Sequence, residues 1–407
     1  NSEYIVNYYH GEKIKINYFI KFLDFLSKPF LKKSKIILYE TYFGIFNKIL
    51  LSLSLGEVPR AMSEFSEQIK MPGPKERNDT KFTFETENKF EDFYIKMLFK
   101  LMPISYLEGY KIILARSKKI NSNAKVIFTA TGYEGNDYFK IWTANQTTHG
   151  KKYLVSDHGV SWEKEESFGH AGKTSDLFLT WNQYDLINSI QVPININLKK
   201  KKILKKNKGD KILLLFNYTA RYCMRLQTGP IAGQILQDYQ LWKTFTKELS
   251  FHLKKNLIFR PHPHDDWNLR ERYSIDFGEN HISNIKKFKE DLNRSKIIIN
   301  TSLQTTFYQS MKTGIPTIIL FNRKILNMDS KLITLQNLFI ENKIFFKDPK
   351  EASKHINEIW HNPLEWWNSK KILELRNLFT EYCSIEKEDN LSYWKKLLKN
   401  QINGQIK

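Results

Sequence analysis

Four short stretches of this chain combine side chains that bind anions with side chains that move protons or attack carbon. Asn300-Thr301-Ser302-Leu303-Gln304-Thr305-Thr306 stands between an apolar run and a helical pattern that closes at Gly314, with Pro316 beyond. Hydroxyls at a helix start, together with backbone N–H groups and the positive end of the helix dipole, suit a phosphate. Ordinary N-capping is the plainer use of a single Ser or Thr. Thr301, Ser302, Thr305 and Thr306 crowd one strand end, which favours the phosphate. Arg260-Pro261-His262-Pro263-His264-Asp265-Asp266 follows another apolar run. Its prolines keep the backbone extended and present His262 at a fixed place, where it can donate to a phosphate or a sugar hydroxyl. Reading His262, His264, Asp265 and Asp266 as metal ligands is weaker, because adjacent residues do not readily converge on one ion.

Ser156-Asp157-His158-Gly159 ends a third run. A carboxylate at a strand terminus can serve as a general base, or as a nucleophile that forms a covalent intermediate. The glycine lets another group approach the backbone closely. The alternative for Asp157 is a cap or turn former. Glu134, Asp137 and His170 fall where they could reach the same cleft. Arg221 and Arg225 follow a fourth run and could grip a phosphate or carboxylate with two parallel hydrogen bonds, or simply be solvated.

Parallel sheets would position these residues. Short apolar runs at 126–128, 152–156 and 177–181 alternate with helical patterns such as 137–148, and a second series follows at 212–216, 256–259, 297–299 and 317–321. Such alternation predicts parallel strands with helical crossovers. Ligands of open parallel sheets lie beyond the carboxyl ends of the strands, which is where all four stretches fall. The first 120 residues read as mainly helical, broken at Pro72-Gly73-Pro74. The expected class is α/β: two Rossmann-like domains facing a cleft, with extra helices at both ends. The expected division is a first domain over 1–195, a Lys-rich linker over 196–210, a nucleotide-binding domain over 211–375, and helices over 376–407 that pack back on the first domain.

Composition bounds the function. With 407 residues, 64 Lys+Arg against 43 Asp+Glu and a formal charge of +21, the chain is large enough for two or three cores and seeks anionic partners. Cys223 and Cys383 are too few for a disulfide framework and fit a reducing compartment. The most apolar stretch, 36–55, is interrupted by Glu40 and Lys48, so no span of about 20 uncharged residues exists. The opening Asn1-Ser2-Glu3, without Met or a signal pattern, suggests a module of a longer protein. Neither a phosphate loop, a dinucleotide fingerprint, a hydrolase elbow nor a zincin helix occurs, and the lysines lack a companion recognition motif for nucleic acid. A non-catalytic basic module, binding through residues 199–206, is the remaining non-enzymatic alternative.

Tyr106-Leu107-Glu108-Gly109-Tyr110, Asn136-Asp137-Tyr138-Phe139-Lys140-Ile141-Trp142, His158-Gly159, Ser175-Asp176, Thr180-Trp181, Thr305-Thr306, Gly314-Ile315-Pro316-Thr317 and Trp366-Trp367 occur in an order and spacing that resembles bacterial surface-polysaccharide glycosyltransferases of the GT-B fold. The resemblance runs over residues 84–379. Relatives in that group often have Gln before His-Gly; Asp157 in that place is similar to the retaining β-Kdo transferase modules of O-antigen biosynthesis. That resemblance implies transfer of Kdo from CMP-β-Kdo to a lipid-linked glycan acceptor in lipopolysaccharide O-antigen or capsule biosynthesis. It implies Asp157 as nucleophile, beside His158, and CMP held by Arg260, His262, Asn300, Thr301, Ser302, Thr305 and Thr306. Arg221, Arg225 and His170 would hold the substrate carboxylate or phosphate. Glu85, Glu91 and Glu134 remain open as the acid/base. The implied donor needs neither a cofactor nor a metal ion, the implied place is the cytoplasm with peripheral contact to the anionic inner-membrane face, and the alternatives are a CDP-polyol phosphotransferase or another CMP-nonulosonate transferase.

Overall fold

Five short apolar segments of the first half form one parallel sheet, and five of the second half form another. The computed structural model describes residues 18–67, 69–72, 85–120, 122–160, 169–183, 188–195, 209–216, 218, 221, 234–285, 287–322, 330–385, 387 and 389–405. The first sheet contains β1 (Ile36–Tyr39), β2 (Val126–Thr129), β3 (Lys152–Ser156), β4 (Leu177–Thr180) and β5 (Ser189–Gln191), in that spatial order. The second contains β6 (Lys211–Leu215), β7 (Leu257–Arg260), β8 (Ser295–Asn300), β9 (Thr317–Leu320) and β10 (Phe345–Phe346), in the order β10-β9-β8-β6-β7. Every residue of β1, β2 and β9 is buried, as expected of strands covered on both faces by helices.

The two-domain α/β architecture expected of a GT-B protein is therefore present, with helices added at both ends. Those used below are α1 (Tyr18–Ser27), α2 (Ile45–Ser54), α3 (Lys89–Leu101), α4 (Asp137–Thr147), α5 (Gln234–Glu248), α6 (Thr305–Met311), α7 (Lys370–Cys383) and α8 (Asn390–Ile402). The described part of the first 120 residues is mainly helical, as expected, with one addition. Ile36–Tyr39 is a strand paired in parallel with β2, Ile36 opposite Val126 and Tyr39 opposite Thr129. Four consecutive buried residues have no periodicity, so neighbouring helical patterns hid them. The linker expected over 196–210 lies outside the described residues except for 209 and 210.

Order decides where a ligand can sit. In the second sheet β6 is flanked by β7 and β8, so connections leave it in opposite directions and open a crevice at its carboxyl end. In the first sheet the described strands run β1 to β5 without reversal.

One apolar core serves both domains. Val126, Phe128, Leu154, Leu179 and Trp181 of the first share it with Leu303, Phe307 and Ile319 of the second, and with Phe379 of α7 and Trp394 of α8. Trp394 is fully buried, its ring centroid 5.2 Å from Phe43 and 5.7 Å from Phe128. Removing so large a buried ring leaves a cavity that costs about 3–5 kcal/mol. Trp394→Ala should lose that much in urea unfolding, and retention of wild-type stability would show that α8 is not part of the shared core.

Candidate active site

Asp157 lies at the first position past β3, one residue from where the sheet stops pairing. Its Oδ2 accepts the Thr180 hydroxyl and the Trp181 N–H, each at 2.8 Å, and the residue is 6% exposed. Burial pushes its carboxyl up to about 7, against the lowering effect of those two hydrogen bonds. Asn195, fully buried, donates its amide to Thr41 O at 2.8 Å, Ser156 Oγ at 3.2 Å and Asp157 O at 3.5 Å. One side chain thus fixes the β3 exit against the β1 exit.

That β1 exit carries residues that pattern reading missed. Glu40 and Tyr42 adopt left-handed φ values of 43° and 60°, a conformation that costs energy outside glycine. Glu40 O accepts the Ala130 N–H at 2.9 Å, and its carboxylate accepts the Thr131 hydroxyl at 3.3 Å. The Tyr42 ring stands 5.5 Å from His158. Burial raises the Tyr42 phenol, and the charges of Glu134 and Glu40 raise it further, so it stays a hydrogen-bond donor. His158 Nε2 lies 3.9 Å from Glu134 Oε1. Glu40, Tyr42, Glu134 and His158 therefore gather beside Asp157. The available signal for Glu40 was a lone acid just after four apolar residues.

The other expected residues divide. Glu91 closes the start of α3: its carboxylate accepts the Glu87 N–H and the Asn88 amide, both at 2.9 Å, while Asn88 caps the same turn. Glu85 is exposed and has no described contact with that cluster. Of the three glutamates, Glu134 is the one that reaches His158. His170 is exposed, 5.9 Å from the Tyr133 ring. Asp137 is taken by Ser105, Tyr106 and Lys140 at the start of α4.

In the second domain, Thr301 donates to Leu215 O at 2.7 Å and ties β8 to β6 at the crevice. Asn300, 2% exposed, has no hydrogen-bond partner for Nδ2 among the described residues, which leaves a buried donor for an acceptor to satisfy. Ser302, Thr305 and Thr306 are half-buried. His262 Nδ1 lies 3.1 Å from the His264 N–H and 3.3 Å from the His264 carbonyl, and burial lowers its pKa, which favours the neutral ring. The Tyr218 ring lies tilted beside it at 5.6 Å and its hydroxyl donates to Asp266 at 2.9 Å, and the Arg221 guanidinium sits 5.8 Å from the Trp267 ring. Arg225 lies outside the described residues. The Arg260 guanidinium is paired with fully buried Asp291 and donates to Ile285 O at 2.7 Å, so it braces the β7 exit. Among the described residues no three His, Cys, Asp or Glu side chains group as a metal site would need.

Beside the site the two halves are joined by a hydrogen bond. Val160 N–H donates to Thr305 Oγ1 at 3.1 Å, and a Cβ placed on Gly159 would lie 2.9 Å from that oxygen. The Asp157 loop and the start of α6 therefore touch.

A family sequence profile matches residues 4–398. The chain belongs to the LIC12162 family transferases. In structure this transferase is similar to a protein of Listeria monocytogenes described as a UDP-N-acetylglucosamine 2-epimerase, with TM-score 0.47, 10% identity, and 91% and 97% of the two chains covered. It is also similar to S. aureus MnaA in a UDP co-structure, TM-score 0.45, 11% identity, 92% and 98% covered. MurG of Acinetobacter baumannii gives TM-score 0.43, 9% identity, 90% and 100% covered. No curated protein matches this transferase.

The contact makes a prediction. Thr305→Val removes the acceptor of a buried N–H, a loss of about 1–3 kcal/mol. The transferase should then be less stable by that amount, measured by thermal or urea unfolding, whereas Thr306→Val should change little. Equal effects of the two variants would remove Thr305 from the domain contact.

Proposed function

We propose that this transferase moves a glycosyl group from a nucleotide-activated donor, the nucleotide in the second domain and the reacting carbon over the Asp157 loop. The observation that carries this reading is the hydrogen-bonded meeting of that loop with the start of α6. It sets an acidic, proton-transferring cluster directly beside a phosphate-type strand end. The phosphate would accept from Asn300 Nδ2, a His262 ring N–H and the backbone N–H groups at the start of α6.

For the donor we propose a CMP-activated nonulosonic acid, with Kdo the sugar that the sequence resemblance favours. Its carboxylate calls for a second cation, a role for Arg221. In the first step an Asp157 carboxylate oxygen attacks the anomeric carbon. The bond from that carbon to the phosphate oxygen breaks, and CMP departs with the electron pair. In the second step an acceptor hydroxyl oxygen attacks the same carbon, its proton passes to Glu134, and the Asp157 carboxylate is released. Two inversions retain the configuration. Thr180 and Trp181 hold Oδ2, which orients the other oxygen for attack, and Glu134 beside His158 is the acid/base. The acceptor in this reading is a glycan carrying a lipid anchor.

The raised carboxyl of Asp157 fixes a pH signature. A nucleophile must be ionised, so turnover should rise with an apparent pKa near 7. Stability runs the other way. Between the usual carboxylate range and pH about 7 the folded chain keeps a proton that the unfolded chain has lost, so stability falls as pH rises through that window. Asp157→Asn keeps an acceptor for Thr180 and Trp181. It should fold, lose this pH-dependent fall, and lose turnover by at least about a thousandfold, as removal of a covalent nucleophile does. Incubation with CMP-Kdo, CDP-glycerol and UDP-N-acetylglucosamine, followed by intact-mass analysis, tests donor and intermediate together. A Kdo adduct on the wild type that is absent from Asp157→Asn is the expected result; full turnover by the variant sinks the nucleophile, and turnover of CDP-glycerol alone sinks the glycosyl donor.

A further inference from the structure

Helix α1 turns its one acid inward, and α1 and α2 both turn large apolar side chains outward. Asp24 of α1 is buried and accepts the N–H groups of Ala61 and Ser63, each at 2.6 Å, and buried Lys48 of α2 lies near enough to feel its charge. Glu57 is likewise buried against Ser34 Oγ and the Lys35 N–H. On the outer side stand Phe22, Phe25 and Leu26 of α1, with Phe25 74% exposed, and Phe46, Leu50 and Leu53 of α2, with Phe46 79% exposed. Spacings of three and four put each trio on one stripe of its helix. Lys28, Lys32 and Lys33, which follow α1 directly, are exposed as well. Apolar stripes of this kind, edged by cations, are rare on a monomeric surface that faces only water.

We propose that the outer face of α1 and α2 docks on an anionic phospholipid bilayer, Phe25 and Phe46 entering the headgroup boundary while Lys28, Lys32 and Lys33 meet lipid phosphates. Each helix has ten residues, too short to span, so the face lies in the interface. Charge decides between occupants. A second copy would bring a like set of lysines against the first, whereas an anionic bilayer complements them at about fivefold in affinity per cation. Position also fits, because α2 begins three residues after Tyr42 of the candidate site. Docking would hold the acceptor side of the cleft at the membrane surface. The inference rests on the transfer reading only in supposing that the acceptor carries a lipid anchor; the docking itself is read from the surface.

The test is co-flotation of the full chain with vesicles of phosphatidylcholine alone or mixed with phosphatidylglycerol, at low and high salt, beside transfer assays with a water-soluble acceptor. The wild type should float with the mixed vesicles and be released by salt. Phe25→Glu with Phe46→Glu, and separately Lys32→Glu with Lys33→Glu, should each lower vesicle affinity at least about tenfold and leave turnover of the soluble acceptor unchanged. All these side chains are exposed, so circular dichroism and melting temperature should match the wild type. Phe90→Glu with Phe93→Glu, on the apolar side of α3, should leave flotation intact. Wild type that ignores both vesicle types overturns the proposal, as does loss confined to the α3 variant. A wild-type dimer that Phe46→Glu converts to monomer in sedimentation equilibrium also overturns it, since the face then belongs to a second copy. Flotation without any glycosyl transfer would overturn the transfer reading and leave the docking face standing.

Discussion

The shared apolar core between the two sheets is the constraint on which the rest depends. Parallel sheets must be covered on both faces, and here part of that cover is common property: Leu303 and Phe307 at the start of α6 pack in the same core as Leu179 and Trp181 of the first sheet. Close packing of this kind tolerates little sliding. The two sets of strand ends are therefore held at a fixed separation, close enough for Val160 and Thr305 to share a hydrogen bond. With bulkier or fewer apolar residues there, the same loops would exist without meeting.

Around that contact the polar groups show how burial is turned to use. Asp157 loses solvation, which two donors among the described residues offset in part, so its proton affinity rises. Asn195 fixes the backbone on either side and holds Glu40 and Tyr42 in a turn that their side chains would not choose. Asn300 keeps a donor unspent at the opposite wall. Strain and unmet hydrogen-bonding capacity thus lie close to the strand ends, which is where a ligand could repay both.

The surface tells a parallel story about charge. Arg260, prominent in the sequence, is occupied with Asp291 and holds a loop. The lysines after α1 are exposed, and the acids near them are buried. No helix among the described residues is long and apolar enough to cross a membrane. Net charge therefore separates into bracing pairs inside and a cationic margin outside, a separation that composition alone does not contain.

Much of the framework was legible in sequence because it depends on local signals. Short apolar runs that end in Asp157, Arg260 or Asn300 announce parallel strands and their carboxyl ends, and Gly314 with Pro316 closes a helix by conformational preference alone. Residue type also marked His158, His262 and Thr305 as polar groups at those ends. Tertiary structure decided their partners. It drew Arg260 into an ion pair and Glu91 into a helix cap, brought Glu134 to His158, and set Tyr42 beside that histidine at the exit of a strand that no periodicity revealed. The physical reason is range: backbone preference and apolar patterning act over a few residues, whereas pairing and desolvation depend on which groups, up to 249 positions apart, the folded chain sets within hydrogen-bond distance.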